Sequence, residues 1–278
     1  AFLTGASAPM FDRAVNLVGS FHHFAPEVRV LFYDLGLSAA QADDVRTWEN
    51  VEYRKFDFSG YPPHVGSMGE KGAYAWRAPI LVNASHEVEC TLWLDAGLEL
   101  RQSPELIAGH IAVDGAFHVT NGWPSPNRFT HPAVIAWHSL TNADFYFQRP
   151  SGNLRHEIEA CGGIQGYRRG SALHARALGG YLECLMDPAC AAPEGASKVN
   201  FRQDQTVLNV VLARYRQTLE MDSDDYLLSL PHVARKYWEH PVPKHAFPVR
   251  DDARVSVILS ECPLPYPSVR YLIRVSVT

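Results

Sequence analysis

Over its first hundred residues the chain alternates between two hydrophobic periods, and this restricts the fold more than any other feature. Phe2-Leu3-Thr4-Gly5-Ala6-Ser7 reads as a short strand entering a Gly turn. Between residues 9 and 24, Met10, Phe11, Ala14, Val15, Val18 and Phe21 recur at helical spacing. Residues 28–33 read as a buried strand ending at Asp34. Ser38 is a candidate N-cap for a helix through Trp48, and residues 51–56 alternate like a half-buried strand. After a break at Gly60-Tyr61-Pro62-Pro63, residues 73–88 read as helix. Cys90-Thr91-Leu92-Trp93-Leu94 is then an apolar strand that stops on Asp95. Strands separated by helices cross over and return in parallel. The rhythm therefore predicts an α/β fold: a mostly parallel central sheet with helices on both faces.

In such sheets ligands lie beyond the carboxyl ends of the strands. Three of those ends carry small or acidic residues, Thr4-Gly5-Ala6, Asp34 and Asp95, and the topology predicts that they converge. The second half is less regular. It is expected to hold a strand over 116–120, a loop over 121–132, and a strand over 163–168 beginning on paired glycines. A helix over 171–186, a loop over 188–198 and a helix over 204–215 follow. Six of the 19 prolines fall between Pro241 and Pro267, so the tail is expected to wrap the surface without long helices.

Composition removes several classes. The balance of 25 Lys+Arg against 30 Asp+Glu gives a net charge of -5, which argues against a nucleic-acid protein. No run approaches the length of apolar residues that a membrane-spanning helix needs. The cysteines, Cys90, Cys161, Cys184, Cys190 and Cys262, form no CxxC pair, so a zinc ribbon is not expected. Cys184 and Cys190 flank a short loop, a spacing that suits a small disulfide or two free thiols equally. Asn83-Ala84-Ser85 is a formal glycosylation sequon inside an expected helix. His22 and His23 are adjacent on a helix and point apart, so they do not share a metal. Ser7, Ser38 and Ser171 lack the flanking pattern of a nucleophile elbow. The chain starts on Ala1 rather than Met, and we expect a processed form or a fragment of a longer parent.

Three local patterns can carry chemistry. Asp95 stands where a buried strand ends, and an unpaired carboxylate there is costly to bury. It either faces a cation, a donor or solvent, or accepts turn hydrogen bonds. Asp204 and Gln205 open an apolar helix, where Asp also serves as a cap. Arg77 lies on an otherwise apolar helix just before the Asp95 strand. It is placed either to reach a phosphate or to form a surface ion pair.

Together these patterns resemble nucleotide-sugar-dependent glycosyltransferases of the GT-A fold, the group that includes glycogenin and bacterial lipopolysaccharide galactosyltransferases. Tyr74 and Arg77 match a helix of that group, and Trp93-Leu94-Asp95-Ala96-Gly97 matches its acidic strand end. Gly162-Gly163-Ile164 loosely matches a small-residue strand. Asp204, Gln205, Leu208 and Asn209 match Asp-Gln-x-x-Leu-Asn. The segments Tyr33-Asp34-Leu35-Gly36-Leu37-Ser38 and 56–62 look like an uncharacterised eukaryotic branch. The resemblance spans residues 2–215 and implies a GT-A-like, Rossmann-like domain over 1–278. Residues 1–100 would bind the nucleotide, 101–240 the donor sugar and acceptor, and 241–278 would form the tail.

The resemblance implies sugar transfer from a nucleoside-diphosphate sugar, a UDP-sugar first, to a hydroxyl on a glycan or glycoprotein. Thr4, Gly5 and Ala6 would touch the nucleotide and Asp34 the base or ribose. Asp95 and Gly97 would lie at the diphosphate. Arg77 would offset charge on the leaving phosphate, and Asp204 and Gln205 would hold the donor sugar near its anomeric carbon, with retention as in the named relatives. The group's metal motif has a second Asp where Gly97 stands here. That leaves Asp95, Glu99 and His240 as candidate ligands for manganese or magnesium and makes a weaker site. Glu99 shares the face of Asp95 only if the strand continues with a regular pleat. Trp123, Trp137, Tyr146, Tyr167 and Trp238 are candidates for stacking on acceptor sugars. The rivals are a glycoside hydrolase using Asp95 with Asp204 or Glu99, and a non-catalytic sugar-nucleotide or glycan-binding protein. The expected location is the Golgi lumen with an anchor removed, or else the cytosol.

Overall fold

The computed structural model describes residues 1–66, 74–124, 129–148, 154–156, 158–197 and 199–219. His240, Trp238 and the proline-rich tail lie outside these residues, as do the side chains of Trp123 and Tyr146.

Strand β1 (Phe2–Ala6) leads into helix α1 (Phe11–Phe24), β2 (Val30–Asp34), α2 (Ala39–Val45), β3 (Val51–Lys55), α3 (Arg77–Glu87) and β4 (Cys90–Leu94). After these come α4 (Glu105–Asp114), β5 (Ala116–Pro124), α5 (Pro132–Trp137), β6 (Tyr146–Gln148), β7 (Leu154–His156) and β8 (Ile158–Arg168). The described chain finishes with α6 (Gly179–Met186), α7 (Pro188–Ala191) and α8 (Asp204–Leu219). The main sheet has the order β3-β2-β1-β4-β8-β5. Its β1–β2, β1–β4 and β2–β3 pairs are parallel, as the alternation predicts. Strand β8 runs antiparallel to both β4 and β5.

Side chains on successive strand residues divide between two layers. Phe2, Val30, Phe32, Leu92 and Leu94 pack in a core with α1 and α4. Leu3, Leu31, Tyr33 and Trp93 pack in a second core with α3, α6 and α8. All five residues of β1 and of β2 are buried, which is why these strands read as unbroken apolar runs. The N-cap on Ser38 is a full capping box. Ser38 Oγ accepts from the Gln41 N–H, and the Gln41 side chain accepts from the Ser38 N–H.

Several sequence boundaries move. The expected loop over 121–132 is strand as far as Pro124, and α7 occupies the start of the expected loop over 188–198. Backbone pairing across β5 and β8 lengthens the first, and Asp187 capping the Ala189 N–H nucleates the second. Cys184 and Cys190 are joined in a disulfide. No helix among the described residues is long and apolar enough to cross a membrane.

Candidate functional site

The parallel register sets the edge of the sheet. Ala6 pairs with Asp34, and Leu3 pairs with Trp93, which puts Gly5 level with Asp95. The three strand ends therefore share one edge, as the topology requires. The site stands on the side of that edge where Trp93 packs.

Strand β4 stops at Leu94, and Asp95 opens a turn in which the Leu98 N–H donates to the Asp95 carbonyl at 2.9 Å. The Asp95 N–H donates to the Gly163 carbonyl at 2.9 Å, so the turn is anchored on β8. Asp95 Oδ1 accepts from Arg77 Nη2 at 2.6 Å and from Trp93 Nε1 at 2.8 Å. The other guanidinium nitrogen, Arg77 Nη1, donates to Asp204 Oδ2, which also accepts from the Tyr181 hydroxyl at 2.8 Å. Arg77 thus bridges a strand-end carboxylate and a helix-start carboxylate 127 residues away along the chain from it. It makes a buried ion pair, not the surface pair that sequence left open.

Burying a guanidinium is tolerable only with such partners. The Arg77 side chain is 2% exposed and Asp204 4%, whereas Asp95 is 28% exposed. Asp95 is therefore the member of the trio that meets solvent. The rings of Tyr74, Trp76 and Trp93 lie 5.2, 5.3 and 5.4 Å from the guanidinium carbon and surround it with electron-rich faces. Burial, the largest single influence, lowers the Arg77 pKa, but Asp95, Tyr181 and Tyr74 together outweigh it and hold the guanidinium protonated. Burial pushes the Tyr181 phenol up to about 12, so it remains a hydrogen-bond donor to Asp204.

The backbone on both sides of this trio is unusual. Tyr74, which accepts the Arg77 N–H, has φ 70°, and Gln203, just before Asp204, has φ 55°. Left-handed backbone at non-glycine residues is uncommon and tends to gather at functional sites.

Helix α8 is fastened to β8 by the other residues of Asp-Gln-x-x-Leu-Asn. Gln205 Oε1 accepts from the Gly162 N–H at 3.2 Å. Asn209 accepts the Ala160 N–H at 2.7 Å and donates to the Ala160 and Gln205 carbonyls at 3.1 and 2.7 Å. Leu208 is fully buried. The glycine pair supplies space. A Cβ on Gly163 would fall 2.6 Å from Asp95 Oδ2, and one on Gly162 would fall 3.1 Å from Gln205 Cβ and 3.4 Å from Asp204 Oδ2.

Sequence reasoning thus finds Arg77, Asp95, Asp204 and Gln205, and the structure gathers them. It misses Trp93 and Tyr181 as partners of the carboxylates, and Gln165, which donates to the Gly162 carbonyl at 2.9 Å and accepts from Tyr167 at 3.0 Å. A Gln inside a buried strand is the signal that was available. Tyr167, a stacking candidate from sequence, is buried beneath this network, and Trp137 donates to Asp187.

The nucleotide-side candidates have local duties. Thr4 and Ala6 alternate with Leu3 and so face the α1 layer, opposite the Arg77 trio. The Thr4 hydroxyl is buried with no partner among the described residues. A Cβ on Gly5 would lie 2.9 Å from the Tyr33 carbonyl, so close strand packing demands glycine there. Asp34 accepts from the N–H groups of Gly36 and Leu37 and from the Tyr53 hydroxyl. Burial would raise its pKa, but these donors outweigh burial and lower it.

Among the described residues the donor set does not fit a hard divalent cation, which wants about six or more oxygen ligands, and the third candidate, His240, lies outside them. Asp95 Oδ1 is already taken by two donors, and Gly97 offers nothing. The chain past Leu94 is turn, not pleated strand, so the condition for Glu99 to join Asp95 is unmet. The Glu99 carboxylate binds Asn16 Nδ2 at 2.8 Å and Arg101 instead. The His, Cys and acidic groups that do cluster among the described residues are His138, Cys184 and Cys190, and the latter two are closed in the disulfide.

A family model described as a protein of unknown function, DUF1647, matches residues 1–82. No curated protein matches the chain. Among solved structures the chain is similar to the galactosyltransferase LgtC in complex with donor and acceptor sugar analogs, at 12% identity and TM-score 0.48, covering 86% of this chain and 87% of that one. It is similar to apo mouse xyloside xylosyltransferase 1 at 14% identity and TM-score 0.44, covering 82% and 84%. It is also similar to the bifunctional glycosyltransferase WbbM at 10% identity and TM-score 0.45, where it covers 76% of this chain but only 36% of the WbbM chain.

Proposed function

We propose that the chain is a nucleotide-sugar-dependent glycosyltransferase of the GT-A type. It moves a sugar from a nucleoside-diphosphate sugar, a UDP-sugar first, to a hydroxyl on a glycan or glycoprotein. The observation that carries the reading is the Arg77 bridge between Asp95 and Asp204 at the carboxyl edge of the parallel strands. That edge is where α/β sheets receive their ligands.

In this reading the nucleotide lies along the β1–β2 ends, and Asp95, the exposed carboxylate, positions the diphosphate end of the donor. Arg77 fixes the orientation of Asp95 and lends positive charge as the phosphate departs. Gln205, held by the Gly162 N–H, and Asp204 hold the hydroxyls of the donor sugar. Asp204 is occupied by Arg77 and Tyr181, so it is badly placed as the base that an inverting displacement requires, which favours retention. The halves before and after residue 100 then serve nucleotide and acceptor respectively. The Cys184–Cys190 disulfide supports action in the oxidising lumen of the secretory pathway.

The bridge also speaks against the hydrolase. A two-carboxylate hydrolase needs its acids facing each other across a substrate gap of roughly 5 to 10 Å. Here both carboxylates close on one buried guanidinium. The test is incubation with a panel of UDP- and GDP-sugars, reading release of the nucleoside diphosphate. Release supports the transferase. Tight nucleotide binding without turnover would make the chain the sugar-nucleotide binding protein that Gly97 permits, and cleavage of a simple glycoside without nucleotide would make it a hydrolase.

A further inference from the structure

We infer that Tyr74 is the aromatic platform for the acceptor, and that the acceptor group is a pyranose ring rather than a simple alcohol or a hydroxyl-bearing protein side chain. This rests on the transferase reading and names the substrate class of the same site.

Among the residues whose side chains are described, Tyr74 is the one aromatic that is exposed, at 45%. Trp76 and Trp93 beside it are covered, and Tyr167 is buried. A single exposed tyrosine says little alone. Its placement and its backbone say more.

Tyr74 lies in the turn just before α3, whose first residue is Arg77. That puts it at the carboxyl edge of the sheet. Its ring is 5.2 Å from the guanidinium carbon that joins Asp95 to Asp204. The Trp76 ring braces it at 6.0 Å, tilted by 58°. Its φ of 70° is a conformation that glycine or asparagine adopts more readily than tyrosine. The Arg77 N–H, donating to the Tyr74 carbonyl at 3.0 Å, helps to hold it. The ring is therefore fixed on its inner side and open on its outer side, so little freedom is lost when a ligand settles on it.

The position selects the substrate. In the transferase reading the nucleotide runs along the β1–β2 ends, and Asp204 at the covered floor holds the donor sugar. Tyr74 stands on the open rim beyond Asp95, where a second substrate enters from solvent. A pyranose presents a patch of C–H groups on one face, which suits a flat ring, while its hydroxyls point sideways to water or polar neighbours. A serine or threonine hydroxyl has no such face.

The experiment follows nucleoside diphosphate release by the full chain, from whichever UDP- or GDP-sugar it turns over. Methyl glucoside, galactoside, xyloside and mannoside are added in turn, with glycerol as the hydroxyl compound lacking a ring. At least one pyranoside should stimulate the wild type, and glycerol should not at equal concentration. Tyr74→Gly should raise the KM for that pyranoside at least about tenfold, whereas Tyr74→Phe, which keeps the ring, should stay within about twofold. Calorimetry should give both variants the wild-type affinity for the nucleoside diphosphate within about twofold. Glycine accepts the left-handed backbone, and thermal melts check the fold. Tyr74→Asn, which also tolerates that backbone, replaces it if Tyr74→Gly does not fold. A wild-type KM in the ring-less variant overturns the inference. So does nucleotide binding that weakens as much as the KM rises, glycerol acting as well as a pyranoside, or a wild type that no pyranoside stimulates. Each of these leaves the transferase reading standing. A wild type that releases nucleotide from no nucleotide sugar overturns both.

Discussion

Asp95 lies where a side chain on Gly163 would be: a Cβ there would come within 2.6 Å of Asp95 Oδ2. The strand-end carboxylate is thus seated directly on the backbone of β8, and the Asp95 N–H to Gly163 carbonyl bond locks the seat. Gly163→Ala should push Asp95 off its position. We expect a transfer rate down about a hundredfold, as displacements near 1 Å produce, and a stability loss of about 1–3 kcal/mol from overpacking. Gly162→Ala, whose neighbour is the Cβ of Gln205 at 3.1 Å, should cost less on both counts. Steady-state kinetics beside urea melts of both variants checks this ordering.

Removing Arg77 leaves two carboxylates together, one of them almost fully buried. Arg77→Leu should therefore destabilise the chain by about 3–5 kcal/mol, the usual cost of stranding half of a buried ion pair. Arg77→Lys should also fail, because a single ammonium does not span both acids as the forked guanidinium does. Urea unfolding reads both. An Arg77→Leu chain as stable as the wild type would show that the bridge does not hold the site together.

His138 carries a pH prediction. It is 2% exposed, and neither ring nitrogen has a partner among the described residues. Burial first, and then the charge of Arg214, push its pKa down to about 4. The unfolded chain therefore takes up a proton near the ordinary value of 6.5 that the folded chain refuses until about pH 4. Between these values the unfolded state binds more protons, so stability rises with pH. The contribution should be fully lost by about pH 4 and fully present above about 6.5, and it amounts to roughly 3 kcal/mol. His138→Phe should flatten that part of the stability–pH curve, and an unchanged slope would contradict the burial argument.

The Cys184–Cys190 disulfide closes a short loop with a sequence separation of 6, and both sulfurs are buried. Chain-entropy reasoning for so small a loop gives about 2 kcal/mol. A double Cys→Ala variant at 184 and 190 should unfold at correspondingly lower urea.

Much of this was legible in the sequence because the first half is periodic. Burial on both faces turns β1, β2 and β4 into apolar runs, and the helices between them force parallel return. Asp95 and Asp204 were legible because acids at the borders of apolar segments need a reason. Their common partner was not. Nothing local says that Arg77 will reach two acids that lie on a strand and on a helix, since the contact depends on β8 running antiparallel beside β4. Strand β8 is hard to read because Cys161, Gly162, Gly163 and Gln165 interrupt its apolar pattern. Of these, Gly163 fits under Asp95, Gly162 under Gln205, and Gln165 into the Tyr167 network. Asp34 closes β2 while Thr4 lies in the middle of β1, and pleat parity, which decides that both face the α1 layer, follows only from the register.

The most direct test of the central claim is release of UDP from UDP-sugars by the wild type and by Asp95→Asn, a substitution that keeps the size of the side chain and removes its charge. We predict acceptor-stimulated release by the wild type, and a loss of at least about a hundredfold in the variant at a temperature where thermal melts show it folded. Release that is undiminished in Asp95→Asn, or turnover of a glycoside with no nucleotide present, would contradict the account.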